Sequence, residues 1–201
     1  MRALPQLIEE RRSAALLDPD RPGPDDDVIK KWVSLAILAP NHKFTFPWRF
    51  HVVRGEDREV LGRLWAEECR ETDHATEDAL AREAKKLLRG PVLIVVGMVS
   101  DPGNPVRHRE DLLASGAAIE NLLLLIEADG FAAMWRTGRL VESRKLRAAL
   151  GFQDQEVMVG VLYVGRRSPA FTPPPRRRPP VDHVVSFGLE PVFRTGLGPD
   201  S

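Results

Sequence analysis

The sequence predicts an α+β or α/β domain with a central sheet flanked by helices, and three observations carry that expectation. Residues 91–100, "PVLIVVGMVS", form a nearly continuous apolar run enriched in β-branched residues, the pattern of a strand covered on both faces. Residues 107–129 are apolar over more than six helical turns and close on Asp129-Gly130, a helix-ending pair. Strand-like and helix-like segments then intermix over the whole chain, with no internal repeat and no boundary that divides it. A chain of 201 residues, 43% hydrophobic and 29% charged, suits one core able to bury about 70% of the unfolded surface.

Taken in order, residues 3–12 read as a short helix, and "DPDRPGPDDD" (18–27) as a loop. The acidic end of that loop starts a helix, since Asp25, Asp26 and Asp27 complement a helix N-terminus. Val28, Trp32, Leu35 and Ala39 recur at helical spacing, so 26–39 is expected to face the core until Pro40 stops it. "RFHVVR" (49–54) reads as a strand. Residues 57–89, rich in Glu, Ala, Lys, Arg and Leu, read as one or two helices, broken near "TDHAT" (72–76). After the 91–100 strand come a loop at 101–105, the long helix, a strand at 131–135, a helix at 142–150 ended by Gly151, and a strand at 156–165. From 166 to 201 the chain is expected to be an irregular, basic, Pro-rich tail within the same single domain, 1–201.

A formal net charge of zero argues against a general nucleic-acid binder. The longest apolar runs, 92–99 and 122–126, are too short to span a bilayer, and the N-terminus carries no signal-like apolar core. A single cysteine, Cys69, permits no internal disulfide and fits a reducing cytoplasm; within its charged helix it is expected to be half-exposed and inert. Five histidines show no metal-ligand spacing, so no metal site is expected. Nucleophile elbows, zinc-protease helices and phosphate-binding loops are missing.

Arginine remains. Arg11-Arg12-Ser13 interrupts two apolar stretches, "WRTG" (135–138) follows a predicted strand, and Arg176 to Arg178 lie in "PPPRRRPP". Cations at 11 and 12 read first as helix-end complements and, as the sharper alternative, as an anion site, because the planar guanidinium fork pairs two parallel bonds to a phosphate. The tail reads as solvated chain, as a polyproline ligand, or as a third part of that anion site.

"RRS" (11–13), "LAPNHKFTFPWRFHVVRG" (38–55), "DLLASGAAIENLLLLIEADGFAAMWRTG" (111–138) and "PPPRRRPP", in this order and spacing, resemble the signatures of the nitroreductase family of FMN flavoproteins, specifically its compact bacterial branch. The resemblance covers residues 3–187. It implies an α+β homodimer with a mixed central sheet and FMN at the subunit interface. It also implies oxidation of NADH or NADPH and reduction of a nitroaromatic, quinone or related small-molecule acceptor in turn. Arg11 then matches a phosphate-contacting arginine, Arg12 and Ser13 line the FMN beside it, and Arg176 and Arg178 match a basic element closing on the phosphate. His42 matches a flavin contact, and Trp135, Arg136 and Thr137 match a second cofactor-lining strand end. The chemistry resides in the cofactor, so no catalytic side chain is expected.

Two departures stand out. Phe46 replaces an amide that contacts flavin in relatives and Phe44 a polar residue, so with Lys43 they are assigned to the substrate slot, with packing beside Trp48 as the other reading. Ala15 stands where relatives carry a cation. Such losses also suit an FMN-binding sensor or flavin store on the same fold.

Overall fold

The structure is a computed structural model that describes residues 3–73, 75–99, 101 and 103–176. Its elements are α1 (Leu4–Glu10), β1 (Leu17–Asp18), α2 (Asp26–Ala36), β2 (Trp48–Arg54), α3 (Asp57–Asp73), α4 (Glu77–Lys85), β3 (Val92–Val99), α5 (Pro105–Ala128), β4 (Ala132–Arg136), α6 (Arg144–Ala149) and β5 (Glu156–Arg167). All lie in a unit spanning Met1–Phe171, from which Thr172–Ser201 divides as a second unit.

Local chemistry sets the helix starts. The Asp25 carboxylate accepts from the Val28 N–H at 2.8 Å, with Asp26 and Asp27 in the first turn of α2. Asn104 accepts from the Arg107 N–H at 3.0 Å, and Pro105 opens α5, where its missing N–H costs nothing. Thr76 and Ser143 cap α4 and α6 in the same way.

Among the described residues five strands form the sheet, and every ladder is antiparallel: β1 with β5, β5 with β3, β3 with β2, and β4 with β5. The parallel component expected of a mixed sheet is one isolated bridge, Ser13 to Ala133. β3 is buried from Val92 to Met98, as its continuous apolar run predicts. Its side chains alternate between two cores. Leu93 and Val95 join Trp65, Cys69, Leu87 and Tyr163 under α3 and α4, while Val92, Ile94 and Val96 join Trp32, Ile119, Leu122 and Ile126 under α2 and α5. The result is a sheet between two helical layers.

Three expectations need correction. The helix predicted at 26–39 ends at Ala36, and its buried stripe is Ile29, Trp32 and Ala36. Leu35 is exposed, because Trp32 turns inward to donate from Nε1 to Asp129 Oδ2 at 2.7 Å and fixes the helix rotation. Cys69 is buried, because α4 closes over α3 at Gly62, where an added Cβ would strike the Ala84 carbonyl. β5 runs to Arg167, two residues into the expected irregular tail, since Arg166 and Arg167 pair with β1.

Candidate functional site

The Arg11–Ser13 segment leaves α1 and runs beside β4. Ser13 bridges to Ala133, and the Ala14 N–H donates to the Ala133 carbonyl at 2.9 Å. Ala133 lies two residues before Trp135, so two signatures more than a hundred residues apart in sequence share one edge of the sheet.

Along that edge each cation has a distinct role. Arg11 is half-buried, with Nε 3.5 Å from Glu120 Oε1 on α5. Arg12 turns back to α1 and donates from Nη1 to the Glu9 and Arg11 carbonyls at 2.6 and 3.1 Å. Arg12 therefore meets the helix-end reading, satisfying a carbonyl left over at the helix C-terminus. Its Nε, however, is buried without a hydrogen-bond partner among the described residues. Ser13 is exposed.

Trp135 lies across Gly160 of the neighbouring strand. A Cβ there would fall 2.8 Å from the indole Cδ1 and nearer still to Nε1. Arg136 and Thr137 turn instead into a cavity of about 290 Å³ beneath α3 and α4. That cavity also takes in Trp65, Cys69, Glu83 and Tyr163, none of which the sequence marks as functional. Burial pushes the Tyr163 hydroxyl up to about 12, against the pull of Arg136 and Arg89.

The 39–46 signature packs on the opposite helical layer. Asn41 organises it: its Nδ2 donates to Thr45 Oγ1 at 2.7 Å, and its Oδ1 accepts from the Phe46 N–H at 2.9 Å. Thr45 Oγ1 donates to buried Asp111 on α5 at 2.5 Å. Under this clamp Lys43, Phe44 and Phe46 adopt φ of 54°, 51° and 44°, a left-handed backbone that costs a non-glycine residue about 1–2 kcal/mol. His42, exposed, reaches Glu110 of α5 at 3.9 Å. His42, Lys43 and Phe44 line a second cavity of about 570 Å³ with Asn104, Arg107 and Glu110.

Packing beside Trp48 does not bury the two phenylalanines. Phe44 is 77% and Phe46 60% exposed, their rings 6.1 Å apart, with Phe46 edge-on to Trp48 at 6.4 Å. With exposed Leu38 and Leu113 they add to the apolar surface on the α2 and α5 side. Arg176 is exposed, and Arg178 lies outside the described residues.

Through α5 the three segments relate as follows. Arg11 meets it at Glu120 and His42 at Glu110, ten residues or about 15 Å apart along a helix of 1.5 Å rise. Asn121, beside Glu120, donates from Nδ2 to the Ala36 carbonyl at 3.3 Å and holds the end of α2 against α5.

This architecture is of the nitroreductase type. It matches the crystal structure of a nitroreductase-like family protein from Bacillus cereus with a TM-score of 0.79 and 26% identity, over 94% of this chain and 98% of that one. A crystal structure from Desulfovibrio desulfuricans, of "a putative nitroreductase in complex with fmn", shares the fold at a TM-score of 0.69 and 22% identity, over 94% of this chain and 99% of that one. Residues 8–166 match the Nitroreductase family, and the chain belongs to it. The protein of Escherichia coli (strain K12) named "Putative NAD(P)H nitroreductase YdjA" is 30% identical over 165 residues, which is 82% of this chain and 88% of that protein. Among the described residues no helix is long and apolar enough to cross a membrane, and no His, Cys, Asp and Glu cluster could hold a metal.

Proposed function

We propose that the protein is an FMN-dependent NAD(P)H oxidoreductase that works as a homodimer and reduces a flat, apolar acceptor such as a quinone or nitroaromatic compound. The observation that carries this reading is the parallel bridge between Ser13 and Ala133, which brings the Arg11–Ser13 segment alongside β4, with Ser13 opposite a residue two short of Trp135. The residues present suit a phosphorylated flavin. Among the described residues the buried Arg12 Nε is a donor with no acceptor, the Arg11 guanidinium is held only by a half-exposed carboxylate, and Ser13 offers a hydroxyl beside them. When bound, FMN supplies the redox chemistry, taking hydride from NADH or NADPH and passing electrons to an acceptor that uses the same place in turn.

The chain's own residues bind and position. Arg11, Arg12 and Ser13 neutralise the phosphate, with Arg176 and Arg178 assigned to close on it from the tail. Trp135, Arg136, Thr137 and His42 line the cofactor. Lys43, Phe44 and Phe46 shape the acceptor slot, and the exposed rings of the two phenylalanines favour flat apolar molecules over small polar ones. The exposed apolar residues at Leu38, Phe44, Phe46 and Leu113 supply a surface for the second copy.

The purified protein is expected to be yellow, to release FMN rather than FAD, and to lose its visible absorbance on addition of NADH or NADPH. A charged hydrogen bond is worth about 1.5–3 kcal/mol, so Arg11→Ala should weaken FMN binding about ten- to a hundredfold. Riboflavin, lacking the phosphate, should bind wild type and variant alike. A colourless protein that takes up no added FMN refutes the reading, and equal losses for both ligands refute the role of Arg11.

A further inference from the structure

The cavity beneath α3 and α4 holds four cations and two carboxylates, and the carboxylates are already engaged. Glu83 accepts from Lys86 Nζ at 2.5 Å and from Trp65 Nε1 at 2.8 Å. Asp73 accepts from Arg139 at 2.6 and 2.9 Å. That leaves Arg89 and Arg136, whose guanidinium groups make no hydrogen bond or ion pair with any described residue. Both act electrostatically on Tyr163, whose ring is buried in the sheet and whose hydroxyl makes no hydrogen bond among the described residues. At neutral pH that hydroxyl keeps its proton, since burial holds its pKa at about 12.

We propose that this cavity is an anion site for a phosphate group, held by the guanidinium groups of Arg89 and Arg136 with the Tyr163 hydroxyl as a further donor. Two unengaged guanidinium groups beside a phenol match a tetrahedral oxyanion, which accepts bidentate bonds from Arg and a third bond from a neutral O–H. Lys86 and Arg139 neutralise the Glu83 and Asp73 carboxylates, so the net positive charge of the cavity comes from Arg89 and Arg136. The cavity volume of about 290 Å³ admits inorganic phosphate or a small phosphate monoester. The site lies on the α3 and α4 face of the sheet and does not use Arg11; it takes Arg136 from the strand end assigned above to the cofactor, so it is an anion subsite adjoining that strand end, distinct from the Arg11–Ser13 segment assigned to the flavin phosphate.

The test uses the protein with its flavin bound, in phosphate-free buffer, titrated with inorganic phosphate and with phenyl phosphate, and followed by calorimetry and phosphorus NMR. One saturable site per chain is expected. Arg89→Ser should weaken it at least tenfold and Arg89→Lys should restore part of the loss. Tyr163→Phe should weaken it several-fold, and added chloride should weaken it further. A thermal melt checks that each variant folds. Tighter binding of phenyl phosphate assigns the site to phosphate esters and equal binding assigns it to free phosphate; either order upholds it. No saturable binding, or unchanged binding in Arg89→Ser, overturns the proposal. So does loss of phosphate binding in Arg11→Ala with none in Arg89→Ser, which would place the anion on the Arg11 side; the yellow colour and FMN content report separately on the flavin reading.

Discussion

Gly160→Ala tests whether the position of Trp135 is set by the strand beneath it. The new methyl would sit 2.8 Å from the indole Cδ1 and nearer to Nε1, whereas carbon atoms rest at about 3.5–4.0 Å. Either the ring or the β4–β5 ladder must give by more than half an ångström. Overpacking of this kind costs about 1–3 kcal/mol, and the lower chain entropy of alanine in the unfolded state returns about 0.4–1 kcal/mol. The net expectation is a loss of about 1–2 kcal/mol. At about 2–4 °C per kcal/mol for a chain of this size, Tm should fall by roughly 2–8 °C at fixed protein concentration. The same substitution in a Trp135→Ala background removes the obstacle, so there it should be neutral or slightly stabilising. An equal loss in both backgrounds would show that the ring is not what the glycine accommodates.

Two further outcomes follow from the described geometry. Phe46→Gly relieves a positive φ at an exposed side chain, so the isolated subunit should gain about 1 kcal/mol in urea unfolding while self-association weakens in sedimentation; lower stability with unchanged association contradicts this. Burial raises the Glu68 carboxyl, but the Ser143 hydroxyl and the N–H groups of Lys145 and Arg144 outweigh it and hold the group below its ordinary 4.5. A depressed folded-state pKa means stabilisation that is present above about 4.5 and lost as pH falls through the folded value. Glu68→Gln should therefore lower Tm at neutral pH, and the gap to wild type should close in acid; a gap that persists at about pH 3, near the lower end of the carboxylate range, counts against the role.

The sequence was most legible where a segment's own pattern decides its structure. β3 is read from an unbroken apolar run, α5 from its length and its Asp-Gly end, and the break before α4 from a cluster ending in a capping threonine. Illegible parts depend on distant partners. Nothing in "LD" signals a strand, because β1 exists only through its pairing with Arg166 and Arg167. The left-handed turn at Lys43, Phe44 and Phe46 contradicts local preference and is imposed by Asn41, Thr45 and Asp111, the last of which lies 66 residues beyond Thr45. The cavity around Tyr163 was equally hidden: Trp65, Cys69 and Glu83 read as one more charged helix face until α4 folds over α3. The arginine segment itself was visible, but its place beside β4 was not.

That placement makes one short stretch of chain serve two ends. β4 pairs with β5 along one side, and along the other, among the described residues, only the Ser13–Ala14 backbone meets it. Removing residues up to Ala14 would leave a strand with bare N–H and C=O groups, a template on which other chains assemble. Selection acting to keep the protein from aggregating therefore also preserves the basic segment, and its loss by deletion would be punished first as insolubility.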